Sequence, residues 1–355
     1  MSTHERPGVY TNYSVSGIVR GSAGQGGAVG LAATAASGTA GNVVAVTDYA
    51  AALEAFGNGN LAALVKVLLK NGAPVVYCCA VGEAGDAAGN VTADDYEAAF
   101  AALMDAGEIR YMVCDSREAD VHKRLLDAIT HADEKSKYRI GIVESDGETI
   151  DALTGAAKAL NSERMVLVSH HEAGGTPGSV AAAVCGVIAG ESDPALPLNG
   201  AALGGFTATD GALGVNFSDA DLTLLIQGGV TPLETVNGSV SVVRGITTRT
   251  TTGGAADAAW REINTILIVD TLLPAIREAL RADFARAKNT VQTRGAIRTR
   301  TVIELENFLS REIIDGYDNV TVTPSEDDPT VCVVSFSFSV AHGLNVIELS
   351  VSITV

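Results

Sequence analysis

Tyr111-Met112-Val113-Cys114-Asp115 is an apolar run of strand length that ends on an acid. It is followed by the Ala- and Leu-bearing stretch 119–132 and then by a second apolar run, Arg139-Ile140-Gly141-Ile142-Val143-Glu144. Runs without polar alternation mark strands buried on both faces, and the helical stretch between them is long enough for the crossover that parallel strands need. The alternation continues in both directions. Residues 74–81, 165–169 and 222–227 read as further strands, and 61–71, 93–106, 150–161 and 180–189 as helices. From about Ala28 to Arg244 the pattern predicts a doubly wound α/β domain, a parallel sheet covered on both faces.

The flanks are written differently. The N-terminal stretch 7–20 is β-prone behind a Pro-Gly breaker and runs into the glycine-rich 21–30, which reads as a strand on a flexible connection. After the turn signals Gly228-Gly229-Val230-Thr231-Pro232 and Asn237-Gly238, residues 239–252 and 263–269 read as strands. Leu273, Ile276, Leu280 and Phe284 recur at helical period, with Pro274 expected in the first turn, and a second helix is expected over 299–313. The chain ends on an expected strand pair. Cys332, Val334, Phe336, Phe338 and Val340 alternate with serines, and Ile347, Leu349, Val351, Ile353 and Val355 alternate with Glu348, Ser350, Ser352 and Thr354. An apolar strand without lysine or proline at a chain end is an aggregation liability unless something covers it. It either pairs within its own fold or is donated to a neighbouring subunit.

The chain has 355 residues, 47% of them hydrophobic, room for two domains with substantial cores. Its 24 basic and 42 acidic residues leave a formal charge of −18, which argues against general nucleic-acid binding and against anionic membranes. The imbalance is uneven: residues 1–244 carry −14 and 245–355 only −4, with Arg277, Arg281, Arg286, Lys288, Arg294, Arg298 and Arg300 clustered. That cluster is either a solvated face paired to Glu278 and Asp283 or a contact for an acidic partner. The cysteines, Cys78, Cys79, Cys114, Cys185 and Cys332, are odd in number and lack CxxC spacing, so they read as reduced and buried. The opening residues show no secretory signal and no stretch is apolar enough to span a bilayer, so cytoplasmic folding is expected.

Enzymatic signatures are missing or incomplete. No phosphate-binding G-x-x-x-x-G-K-[S/T] occurs, and Gly24-Gln25-Gly26 lacks the third glycine of a dinucleotide loop. His170-His171-Glu172 does not have helical metal-ligand spacing, so neither a metal nor a cofactor is expected. Gly175-Thr176-Pro177-Gly178-Ser179, opening a small-residue helix, is similar to the nucleophile helix of subtilisin-like proteases, but Pro177 stands where the serine would be. Asp115 closes a strand as the protease aspartate does, yet no histidine helix follows; Ser179 with His170 could rescue the idea only with a base and its orienter found elsewhere.

Several segments carry a family resemblance: Arg6-Pro7-Gly8-Val9-Tyr10, Pro197-Leu198-Asn199-Gly200, the 228–233 turn, Val243-Arg244-Gly245-Ile246-Thr247-Thr248, Trp260-Arg261-Glu262-Ile263-Asn264 and Ile268-Val269-Asp270. In order along nearly the whole chain, they resemble contractile tail sheath proteins, in the short form of contractile phages, prophages and phage-tail-like bacteriocins. The resemblance implies a subtilisin-like α/β domain without catalysis, a C-terminal α+β domain near an inner tube, and extended terminal β-arms. The expected division is an N-terminal arm strand over 1–22, the α/β domain over 23–244, the tube-proximal domain over 245–342 and a C-terminal arm strand over 343–355. Val9, Tyr10, Tyr13 and Val15 are the expected N-arm contacts. Ile347, Leu349, Val351, Ile353 and Val355 are the C-arm contacts, and Arg277, Arg281, Arg286 and Lys288 the tube-facing ones.

It further implies a homo-oligomer of stacked hexameric rings in a helical assembly around an inner tail tube protein. Baseplate and tail terminator proteins would be partners, with no nucleic acid and no membrane insertion. Such a particle, phage or tailocin, would be assembled in the bacterial cytoplasm. It would contract on stored conformational energy to drive the tube through an envelope. The competing readings are a divergent subtilisin-like serine hydrolase and a different self-assembling shell or tube protein.

Overall fold

Strands that are apolar on both faces need a layer above and a layer below, and the two layers here divide each strand's residues by parity. A computed structural model describes residues 14–15, 17–18, 27–85, 91–106, 108–134, 137–145, 147, 149–169, 176–207, 217–345 and 350–351. The two-residue strands β1 (Ser14–Val15) and β2 (Gly17–Ile18) pair antiparallel. The main sheet contains β3 (Ala28–Thr34), β4 (Val43–Val46), β5 (Val76–Val81), β6 (Ile109–Cys114), β7 (Ile140–Glu144) and β8 (Met165–Val168), in the order β4-β5-β3-β6-β7-β8. All neighbours are parallel except β4, which closes one edge antiparallel to β5.

Helices α1 (Tyr49–Phe56), α2 (Asn60–Lys70), α3 (Ala93–Asp105), α4 (Ala119–Glu134), α5 (Ile150–Leu160), α6 (Ser179–Gly190) and α7 (Asp219–Gln227) fill the connections. Leu31, Cys78, Val113, Ile142 and Val166 face the layer built by α1, α2 and α6; Ala32, Cys79, Met112, Val143 and Leu167 face the one built by α3, α4 and α5. Burial raises the thiols of Cys78, Cys79, Cys114 and Cys185 above the ordinary value, so they stay protonated, while Cys332 is half-buried. The expected strand over 222–227 is instead part of α7. Its N-cap Ser218 and Asp221 form a reciprocal capping box, and that pair outweighs a short apolar run with no period of its own.

Strands β9 (Ala202–Thr207), β10 (Leu233–Val236) and β11 (Ser239–Val242) make a small sheet in the order β10-β11-β9. Only the ends of the long strand expected over 239–252 are strands, β11 and the two-residue β12 (Thr251–Thr252), which pairs with β13 (Ala255–Ala256). Between them the chain is tied elsewhere: Thr248 N donates to Met165 O at 2.8 Å and Thr247 N to Arg261 O at 2.9 Å.

The C-terminal layer departs most from expectation. Residues 263–269 open the 22-residue helix α8 (Ile263–Phe284), and Pro274 lies in its middle rather than its first turn. The run is rich in β-branched residues, yet Ile263, Ile266, Leu267, Ile268 and Val269 are all buried; a helix covered on every side loses its amphipathic period. Helix α9 (Val291–Ser310) starts well before the expected 299, capped by Thr290. Strand β15 (Cys332–Val340) pairs antiparallel with β14 (Ile314–Pro324), a strand not expected, whose alternation is broken by register shifts around Asn319 at φ 55°. The expected partner 347–355 lies outside the described residues apart from 350–351, which are in no strand. One hydrophobic cluster runs unbroken from the α2/α6 layer through α8 and α9 to Ile314 and Val320.

Candidate functional site

In doubly wound folds ligands bind at the carboxyl ends of the strands. Here those ends carry a buried polar band: Thr34, Asp115, Ser116, Glu144, Ser145 and Ser169. Asp115 is only 1% exposed, and both its oxygens are taken. Oδ2 accepts from Thr34 N and Thr34 Oγ1, each at 2.9 Å, and from Asn60 Nδ2 at 2.5 Å; Oδ1 accepts from Tyr96 OH at 2.6 Å. Burial, followed by the neighbouring Asp115 charge, pushes the Tyr96 phenol well above its ordinary range, so it remains a donor.

Glu144, fully buried, occupies the N-terminus of α6. Gly178 N (2.8 Å) and Arg117 Nε (2.7 Å) donate to its Oε1, and Val180 N (3.0 Å) and Ala181 N (3.3 Å) to its Oε2. A helix N-terminus is an anion site, and here the chain's own carboxylate fills it. Gly178 makes this possible. It sits at φ 83°, and a Cβ there would stand 2.6 Å from Cys114 O, so only glycine lets α6 start this close to β6.

Ser179 Oγ is buried without a hydrogen-bond partner among the described residues, and Pro177 at the would-be nucleophile position has no hydroxyl. His170, His171 and Glu172 lie outside the described residues. The aspartate counterpart, Asp115, is already saturated, and the N-terminus of α6 is already occupied by Glu144. Among the described residues no group of three His, Cys, Asp or Glu side chains could hold a metal ion, and no helix is long and apolar enough to cross a membrane. A groove between α3 and α4 is lined by Glu97, Met104, Asp120, Lys123, Arg124 and His131.

The second region of interest is the α8–α9–β14–β15 layer. A buried ion pair ties it to the sheet: Arg164, at the start of β8, donates from Nη1 to Asp270 Oδ2 at 2.9 Å and from Nη2 to Asp270 Oδ1 at 3.2 Å. Arg164 also packs over the Tyr138 ring with its centre 5.3 Å away. Burial raises the Asp270 carboxyl above its ordinary value, and Arg164 opposes the shift.

The basic cluster divides. Arg277 is half-buried on the Tyr138 ring at 5.8 Å, Arg298 Nε donates to Val320 O at 2.8 Å, and Arg300 pairs with Asp283 at 3.0 Å and Glu304 at 2.9 Å. Arg294 Nη1 donates to Asn289 Oδ1 at 2.9 Å. Arg281, Arg286 and Lys288, at and just beyond the end of α8, are exposed and make no ion pair among the described residues. The local pairing expected for Asp283 exists, but to α9 rather than within α8.

Strand β15 presents Val334, Phe336, Phe338 and Val340 inward, and all four are only half-buried. Of the expected arm contacts, Val9, Tyr10 and Tyr13 lie outside the described residues, as do Ile347, Leu349, Ile353 and Val355. Val15 is in β1, and Val351 is 80% exposed.

Residues 255–354 match the phage tail sheath C-terminal domain, and residues 89–248 match the phage tail sheath protein central domain. Three solved structures share the fold. The anti-feeding prophage helical sheath in its contracted state has a TM-score of 0.70 at 15% identity and covers 99% of both chains. A sheath tail protein of Listeria innocua has 0.69 at 14% identity, covering 91% of this chain and 94% of its own. One from Desulfitobacterium hafniense has 0.66 at 14% identity, covering 94% and 100%. No curated protein sequence matches.

Proposed function

The chain belongs to the phage tail sheath family, a family of structural proteins rather than enzymes, and from that premise we propose that it polymerises as stacked hexameric rings around an inner tail tube and contracts to drive that tube through a bacterial envelope. The observation that carries this reading is the narrow β14–β15 pair. Two strands cannot bury a full apolar face, and the row Val334, Phe336, Phe338 and Val340 is left half-covered. Strands donated by the arms of neighbouring copies, from 1–22 and 343–355, would complete the sheet and link the lattice. The division at 244/245 and the subtilisin-like descent of the α/β domain belong to the same proposal. Asp115 at a strand end and α6 opening beside it support that descent.

Energy has to be stored in the conformation, since the sequence has no nucleotide-binding motif. A difference of about 1–2 kcal/mol per subunit sums to hundreds over a cooperative lattice of hundreds of copies. Exposed Arg281, Arg286 and Lys288 are the proposed tube contact, and baseplate and terminator proteins would bound the assembly in a phage or tailocin particle built in the bacterial cytoplasm. The test is electron microscopy of the purified chain with its cognate tube protein. Hollow striated sleeves in a long, narrow form and a short, wide form are expected. Monomers under every condition would overturn the reading.

A further inference from the structure

The loop 194–200, which contains the Pro197-Leu198-Asn199-Gly200 motif, takes no part in the polar band or in the basic cluster. It is held firmly from below. Asn264 Nδ2, in the first turn of α8, donates to Pro194 O at 2.9 Å and Leu196 O at 2.8 Å; Gly200 N donates to Val242 O at 2.8 Å; and Leu198 is buried under Gly245. The chain leaving β15 is laid on top of it. The last backbone bond of the hairpin region is Ala341 N to Ile313 O at 3.3 Å. Gly343 then passes so close to Pro197 that a Cβ would stand 2.7 Å from Pro197 Cβ. Asn345 Oδ1 accepts from Asn199 Nδ2 at 2.6 Å, and Asn345 Nδ2 donates to Glu262 Oε1 at 3.0 Å. Glu262 is itself paired with Arg244.

We propose that the Pro197–Gly200 loop is a cradle for the root of the C-terminal segment, and that the Asn199–Asn345–Glu262 bonds are a releasable latch setting how far the segment beyond residue 345 reaches toward a neighbouring copy. The cradle is rigid, but the attachment on it is weak. Among the described residues it consists of two exposed side-chain hydrogen bonds and the close pass of Gly343 over Pro197, and Leu344 beside them is 72% exposed instead of anchoring the segment. Opening the latch frees residues 342–345, which when extended lengthen the tether by about 13 Å. A donated strand needs such slack if it is to stay paired while the spacing between copies changes. Glu262 does not lose its partner when Asn345 leaves, because Arg244 remains.

This inference rests on the sheath reading for its purpose but not for its first measurement. The full-length chain is digested with chymotrypsin under native conditions, and the product ending at Leu344 is followed by mass. Asn345→Ala, Asn199→Ala and Gly343→Ala are each expected to speed cleavage at Leu344 about tenfold over the parent, with unchanged thermal unfolding showing that the body is intact. Equal cleavage rates in parent and variants overturn the latch. In sleeves, the variants are expected to polymerise but to give disordered or uneven lengths on contraction. Variant sleeves identical to the parent in both lengths overturn its role in the change of spacing. Failure of the parent to form sleeves, with the cleavage difference intact, counts against the sheath reading alone.

Discussion

The polar band of the α/β sheet and the β14–β15 pair are both places where a fold of this size could have bound something, and they are finished to opposite degrees. In the band every carboxylate oxygen is spent inside the chain: Asp115 on Thr34, Asn60 and Tyr96, and Glu144 on α6 and Arg117. In the pair an apolar row of a nine-residue strand is left half-covered. On the proposed sheath reading, the difference is the one expected between a body that moves as a unit and a surface completed by another copy. Saturated buried networks rigidify; incomplete sheets recruit.

The largest effect that would sharpen this contrast is on Glu144. Glu144→Ala removes the carboxylate from α6 and leaves Arg117 and three buried amides without it, with an expected loss of about 3–5 kcal/mol in urea unfolding. A loss below about 1 kcal/mol would mean the band does not organise the body. The seam between the two regions comes next. Asp270→Ala leaves Arg164 facing mainly its weaker contact to Asp133, and a loss of about 3 kcal/mol is expected; the double variant Arg164→Met/Asp270→Leu should recover most of it. Equal losses in single and double variants would show that packing, not charge, closes the seam.

On the unfinished side the stability effects should be small and the assembly effects large. Arg281→Glu/Lys288→Glu is expected to shift unfolding by less than about 0.5 kcal/mol, since both groups are exposed, but to reduce co-sedimentation with the tube at low salt. Unchanged co-sedimentation would remove this face as the tube contact. The smallest effect concerns helix caps in the body. Hydrogen bonds from Thr92 to Asp95 and from Ser218 to Asp221 hold both carboxyls below the ordinary value of 3.8. A folded value below the unfolded one contributes stability above the ordinary value that is lost as pH falls through the lower folded one. Fraying of α3 and α7 is therefore expected below about pH 4 by hydrogen exchange, and Asp95→Asn should flatten that dependence for α3.

The same contrast governs what could be read in advance. The strands β5–β8 and the helices α2–α6 follow from runs and periods in the sequence, because those strands are buried on both faces and most of those helices on one; β3 and β4 do not stand out, since β3 opens inside the glycine-rich stretch 21–30 and β4 is only four residues long. Residues 263–269 could not be assigned that way: six of the seven are buried, Asn264 among them, and only the three-dimensional surroundings distinguish a wholly covered helix from a covered strand. For α7 the signal was present in Ser218 and Asp221 and was hidden by the apolar run that follows. Strand β14 was obscured by its own bulge at Asn319. Asp115 as a strand-ending acid and Pro177 as a residue without a hydroxyl were both legible in the sequence. The role of Glu144 needed the distance between β7 and α6, and that of Asn345 the distance to Asn199, which nothing within a single segment encodes.

The central claim is that the unfinished sheet is completed between copies. Its most direct test is negative-stain electron microscopy of the full-length chain beside a chain lacking residues 346–355, which keeps the cradle contacts and the whole described body up to Asn345. Striated sleeves from the first and only dispersed subunits from the second, with equal thermal stability, are the predicted result. Sleeves of the same form from both would contradict strand donation by the C-terminal segment.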